Sequence, residues 1–246
     1  MNIGFVSTRF SGTDGVSLES QKWADALGRL GHKCFWFSGL SDRLPKCSMV
    51  VPEAFFEHPT IRMINNAVWN VDDIPTSIVE SIEEISKYLE ANINDFCRCF
   101  EIDLLISQNA LTIPMNLPLG LALTRHIESS GIPTVAHHHD FYWERNRFTG
   151  NGVLPYLEKA FPPSLDSITH VVINSEAGRQ LDDRLKLGSI LVPNVMDFET
   201  TPEIPFASSA IKSELGFANE DILFLQPTRV VPRKGIEHSI ELVARL

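Results

Sequence analysis

The stretch of the sequence richest in reactive side chains is Ala136-His137-His138-His139-Asp140-Phe141-Tyr142-Trp143-Glu144-Arg145. In an extended strand side chains alternate between faces, so His137 and His139 share one face and His138 takes the other. Three chemistries are open to such a run. His137 and His139 with Asp140 or Glu144 can ligate a metal, although consecutive histidines fit tetrahedral geometry poorly and no distant Cys/His set completes a shell. The imidazoles can instead satisfy backbone groups in a loop, or they can contact a polar substrate, donating and accepting hydrogen bonds near neutral pH. A second candidate is the loop Ser7-Thr8-Arg9-Phe10-Ser11-Gly12-Thr13-Asp14-Gly15, followed by Ser17, Glu19 and Ser20. Glycine lets backbone approach a ligand closely, and the free N–H groups of a helix start favour an anion. The same residues also suit a tight turn with an ordinary helix cap. Neither a G-x-G-x-x-G nor a G-x-x-x-x-G-K-[ST] pattern is present, and Phe37-Ser38-Gly39 closes the next strand without an acidic ribose ligand.

A third candidate is Pro227 to Gly235, where Arg229, Arg233 and Lys234 fall between a strand and a helix start. Cations beside a helix N-terminus are electrostatically misplaced unless an anion joins them, so this loop reads as a phosphate or diphosphate site ahead of the alternative, a solvated run of charge. Asn174-Ser175-Glu176 and Pro193-Asn194-Val195-Met196-Asp197 have plainer local readings: Ser175 caps the following helix and Asn194 makes a turn.

The elements that carry these residues alternate. Ile3–Ser7 reads as a strand, Trp23, Leu27 and Leu30 recur at helical spacing, Gly31 follows as a C-cap, and Cys34–Phe37 resumes as a buried strand. Met49–Val51 reads as a third short strand, and Glu53–Asp73 has no clear period. A long helix from Thr76 to about Phe100 puts Ile78, Ile82, Ile85, Leu89, Ile93 and Phe96 on one face, as core. Strands at Leu104–Ser107, Thr134–His137, Val171–Ile173 and Ile190–Val192 alternate with helices at Leu117–Glu128 and Glu176–Leu185. Residues 197–210 read as a linker; a helix near Ser208–Leu215, a strand at Ile222–Leu225 and a helix running from Gly235 through the last residue follow. Such alternation predicts an α/β fold with a Rossmann-like doubly wound parallel sheet covered on both faces. Ligands bind beyond the C-terminal strand ends of such sheets, which is where the candidate groups fall.

The 246 residues amount to about one and a half domains at roughly 150 residues each. A composition with 43% hydrophobic and 21% charged residues is that of a soluble globular protein. The net charge of −10 argues against broad binding to nucleic acid or to an anionic membrane, which needs a basic surface. Cys34, Cys47, Cys97 and Cys99 include no C-x-x-C pair and read as reduced structural thiols. There is no signal-like start and no run of about 18 apolar residues, so a cytoplasmic location without a transmembrane segment is expected.

Taken in order, these stretches resemble the retaining GT-B glycosyltransferases, in the large group that holds sucrose-, mannosyl- and trehalose-type synthases. The Gly-rich loop of that family is similar to Gly12 through Glu19, its strand-end His-Asp to His139-Asp140 and its Ser-Glu pair to Ser175-Glu176. Its Pro-Asn-Gly-Val-Asp stretch resembles Pro193 to Asp197, with Val195 in place of Gly, and its Gly-Arg-x-x-x-x-Lys-Gly loop resembles Thr228 to Gly235, with Thr228 in place of Gly. The resemblance implies an acceptor-side Rossmann-like domain over residues 1–200, a linker over 201–214, and the truncated start of a nucleotide-sugar-binding domain over 215–246. It implies sugar transfer from a nucleotide-diphosphate sugar to an acceptor hydroxyl, with retention and without a metal or other cofactor. In that scheme Arg229 and Lys234 stabilise the departing diphosphate, Gly15 approaches the donor phosphate, and His139 holds hydroxyls near the reacting sugar. Gly12, Asp14, Asp140, Ser175, Glu176 and Asn194 would contact substrate. The acceptor is a small molecule, saccharide or lipid, and Arg9, Arg145 and Arg147 favour an anionic one. A binding module without turnover, and a GT-B epimerase or phosphorylase relative, are the alternatives.

Overall fold

Seven strands form one parallel sheet in a computed structural model of the chain: β1 (Asn2–Val6), β2 (Lys33–Ser38), β3 (Ser48–Val50), β4 (Leu104–Gln108), β5 (Thr134–His138), β6 (Ile168–Val172) and β7 (Ser189–Leu191). The structure describes residues 1–196, 211–218, 220–228, 230–231 and 234–246. The strand order is β3-β2-β1-β4-β5-β6-β7, so the chain builds outward from β1, then returns and builds the other way from β4. The helices between strands are α1 (Gly15–Arg29), α2 (Pro59–Val68), α3 (Thr76–Cys99), α4 (Leu117–Ser130), α5 (Leu154–Ala160) and α6 (Ser175–Leu185). This is the expected Rossmann-like α/β architecture.

Alternation along the strands divides the core. Ile3, Phe5, Trp36 and Ile106 pack with Ala24 and with Trp23 and Leu27 of α1 on one face. Val6, Phe37, Leu105 and Ala136 pack on the other against Leu89, Ile93 and Phe96 of α3 and Leu119, Ala122 and Leu123 of α4. The register Phe5↔Trp36 and Val6↔Phe37 keeps these rows aligned, and a slip of one residue would reverse every side chain. The apolar stripe of α3 is therefore core, as its spacing predicts. Burial of each Leu, Ile or Phe in such a row stabilises the fold by about 1.5–3 kcal/mol. Helix α4 is apolar almost all round because a second cluster, with Ile61, Ile64, Ile82, Val153, Leu157 and Phe161, covers its outer side. Gly39 lies just beyond β2, where an added Cβ would meet the backbone nitrogen of Phe55 at 1.9 Å, so only glycine fits the crossing.

The structure departs from the sequence reading in several places. Helix α2 occupies part of the span that shows no clear period, with Pro59 at its first turn and Ile61, Ile64 and Val68 buried. Helix α5 forms where no element is read from the sequence, also opened by a proline near its first turn. Asn174 rather than Ser175 caps α6, its side chain accepting from the N–H of Ala177 at 2.8 Å.

The chain divides into two compact units, Met1–Val195 and Met196–Leu246. In the second, helices span Ile211–Glu214 and Ile236–Val243, the latter opened by Gly235 at φ +58° and ended by Ala244, short of the last residue. No strand forms at Ile222–Leu225, whose side chains are exposed. A strand needs a neighbour for its backbone hydrogen bonds, and the described residues of this unit contain no other strand. Most of the expected linker lies outside the described residues.

Candidate active site at the strand ends

The hydroxyl of Ser7 donates to the carbonyl of Gln108 at 2.9 Å, joining the ends of β1 and β4 where the strand order reverses. Doubly wound sheets bind ligands at that switch point. The loop after β1 folds onto the start of α1. Asp14 is the N-cap: its Oδ1 accepts from the N–H groups of Val16 at 3.2 Å and Ser17 at 3.3 Å, and its Oδ2 accepts from the Ser17 hydroxyl at 2.6 Å. Arg9 pairs with the same carboxylate at 3.2 Å and lies over the Phe56 ring. The anion attracted to this helix start is thus first the protein's own carboxylate. Gly12, at φ +75°, donates its N–H to Asp42 at 2.8 Å, while the space beside Gly15 is open where a Cβ would stand.

From β4 and β5 come two polar pairs. The Gln108 side chain is fully buried; its Oε1 lies 3.0 Å from His137 Nδ1 and 3.2 Å from His139 Nε2, while its Nε2 is buried without a partner. Asn109 adopts φ +62°, a left-handed conformation that Asn tolerates better than most residues. Its N–H donates to the carbonyl of His137 at 3.1 Å, its Oδ1 accepts from the N–H of His139 at 3.2 Å, and its Nδ2 donates to Asp140 Oδ1 at 3.3 Å. Arg145 holds the other carboxylate oxygen of Asp140 through Nε, at 2.7 Å, and through Nη2. Trp23 of α1 stacks on His137, ring centres 4.5 Å apart. Buried Glu19 pairs with Lys22, which also donates to the carbonyl of Val195.

Burial dominates the protonation of the three consecutive histidines. It pushes His137 down to about 3 and lowers His139 as well. Around His139 the carboxylates of Asp140, Glu19 and Asp14 favour the charged ring and Lys22 opposes it, but desolvation outweighs them. His138 points to the opposite face, as strand alternation predicts. It meets Thr112 Oγ1 at 2.5 Å and His170 Nδ1 at 2.9 Å. His138 and His170 are both held neutral by burial, His170 down to about 4. This pair is a buried strut between β5 and β6.

The expected site residues therefore separate into groups. Gly12, Asp14, Gly15, His139 and Asp140 gather at the ends of β1, β4 and β5. Glu176 is exposed on α6, where Arg179 at 2.6 Å and Gln180 hold it and lower its pKa through hydrogen bonds. Ser175 begins that helix, and Asn194 is exposed beyond β7. Lys234 is exposed in the second unit, and Arg229 lies outside the described residues. Among the described residues no cluster of three or more His, Cys, Asp or Glu is arranged to hold a metal ion. None of their helices is long and apolar enough to cross a membrane. The sequence reading does not assign Gln108, Asn109 or Trp23 to the site. The signal was available: Gln108-Asn109 is a polar pair ending an apolar strand, at the same strand-end level as His139.

Two curated proteins match along the whole chain. The mannosylglucosylglycerate synthase of Petrotoga mobilis is 34% identical over 251 residues, and that of Thermotoga maritima 33% over 255. The chain is homologous throughout to these synthases. It spans 57% of the length of each, and no family model matches. Among solved structures, an α-glucosyltransferase in complex with UDP-glucose and DNA containing an abasic site aligns with 75% of this chain and 38% of its own, at 12% identity and a TM-score of 0.36. The kinship to these synthases agrees with the glycosyltransferase resemblance carried by the ordered motifs.

Proposed function

We propose that the protein is a hexosyltransferase that moves a mannosyl group from a nucleotide-diphosphate sugar to the hydroxyl of a glucosylglycerate-like acceptor, with retention at the anomeric carbon. The end-to-end similarity to two mannosylglucosylglycerate synthases carries this reading. The strand-end constellation supports it. A neutral, half-buried His139 suits the holding of sugar hydroxyls, and the Arg9–Asp14 pair beside it offers a cation for an acceptor carboxylate.

In this reading residues 1–200 are the acceptor side and the second unit begins the donor side. Arg229 and Lys234 stabilise charge as the diphosphate leaves, and Gly15 leaves room for the donor phosphate. Gly12, Asp14, Asp140, Ser175, Glu176 and Asn194 contact substrate. The cations take the part a metal plays in other transferases. Incubating the protein made from its complete reading frame with a nucleotide-diphosphate mannose and glucosylglycerate tests this. Product with the donor's anomeric configuration, read by NMR, is expected. An inverted product would remove the retaining assignment, and equal use of the acceptor's amide derivative would remove the carboxylate.

A further inference from the structure

His139 has a carboxylate as its neighbour in sequence, yet that carboxylate does not orient its ring. Both oxygens of Asp140 are engaged elsewhere, by Asn109 and by Arg145. The ring is held by Gln108, a neutral amide that is fully buried. One oxygen of that amide receives two imidazole nitrogens, from His137 and His139, whose ring centres are 4.5 Å apart. Stacking of Trp23 on His137 fixes the first ring, and Asn109 fixes the backbone of His139. With the amide oxygen toward both rings, the two facing nitrogens donate and carry protons, and the amide Nε2 is left buried without a partner. His139 Nδ1 is then left with a lone pair and no hydrogen bond from any described residue.

We propose that Gln108 is a positioning residue that locks His139 in the Nε2–H form, so that Nδ1 faces the ligand as a bare acceptor for a hydroxyl that must itself donate. The choice of amide over carboxylate has a chemical consequence. A carboxylate partner would stabilise the imidazolium, as it does where histidine moves protons, whereas an amide leaves the ring neutral. The site accordingly reads a hydroxyl group and does not exchange a proton with it. This deepens the proposed transfer and rests on it only for the statement that the hydroxyl belongs to a sugar.

The test is a long-range 1H–15N correlation spectrum of the full chain labelled with 15N-histidine, with His139 assigned by its loss in His139→Gln. The expected spectrum has Nε2 protonated and Nδ1 bare in the wild type. In Gln108→Leu the ring should populate both forms. In Gln108→Glu the Nε2–H form should persist while the pH at which His139 charges rises, because a negative acceptor now favours imidazolium. Protonated Nδ1 in the wild type, or an unchanged ring in Gln108→Leu with the His138–His170 signals intact, overturns the proposal. A second readout is transfer by the protein from its complete reading frame. Gln108→Leu should lower kcat/KM about threefold to tenfold, the cost of a misdirected neutral hydrogen bond. Gln108→Glu should move the acid limb of the pH profile upward. Absence of transfer in the wild type would overturn the proposed function alone, since the spectrum does not depend on turnover.

Discussion

Mild acid should destabilise the first unit through its buried histidines. His137 and His170 stay neutral in the folded chain down to about 3 and about 4, and His138 is shifted in the same direction, in each case chiefly because burial disfavours the charge. In the unfolded chain each ring takes up a proton near the ordinary value of about 6.5. Below that value the unfolded state binds more protons than the folded one, so stability falls with falling pH until the folded-state values are reached. Each ring costs about 1.4 kcal/mol per pH unit in that window, or about 2 kcal/mol by about pH 5. His137 and His170 together cost about 4 kcal/mol there, against a total stability of roughly 5–15 kcal/mol for a domain. Unfolded Asp and Glu titrate near about 4, so the window above about pH 5 isolates the histidines. The assay is urea denaturation followed by tryptophan fluorescence at about pH 7.5 and about pH 5, since Trp23, Trp36, Trp69 and Trp143 all lie in the first unit. His170→Asn should reduce the pH-dependent loss by about 2 kcal/mol, having removed one titrating ring. A midpoint that does not move between the two pH values would refute the claim that burial holds these rings neutral.

Two further outcomes follow from single side chains. Asp14→Ala removes the α1 cap and the partner of Arg9, and should destabilise the first unit by about 1 kcal/mol in the same denaturation assay, with Asp14→Asn recovering most of the cap. Among the thiols, Cys99 is exposed, whereas burial pushes Cys34 up to about 11 and Cys97 up to about 12. Iodoacetamide at mildly alkaline pH should therefore label Cys99 well before Cys34 or Cys97, read by peptide mass; early labelling of Cys97 would contradict its packing from α3 against the core.

The sheet was legible because its strands are short apolar runs separated by turn residues, and because α3 and α4 carry long, unambiguous stripes. Helices α2 and α5 were not, being 10 and 7 residues long with few apolar positions to establish a period. Each opens with a proline near its first turn, a position that suits proline. Periodicity also suggested a strand at Ile222–Leu225, but a strand exists only with a partner, and pairing is not a local property. At the site, the opposed faces of His137 and His138 followed from strand alternation alone. That Gln108 would gather two of the rings did not, since it depends on the parallel register Gln108↔His137 between strands about thirty residues apart in sequence.

Mannosyl transfer by the protein from its complete reading frame, measured for the wild type and for His139→Ala and Lys234→Ala, tests the central claim most directly. Wild type should convert a nucleotide-diphosphate mannose and glucosylglycerate to the mannosylated product. His139→Ala and Lys234→Ala should each lower kcat/KM by at least about tenfold, equivalent to about 1.4 kcal/mol of transition-state stabilisation. Undiminished transfer in His139→Ala, with the fold intact by tryptophan fluorescence, would contradict the assignment of the strand-end constellation as the site of sugar transfer.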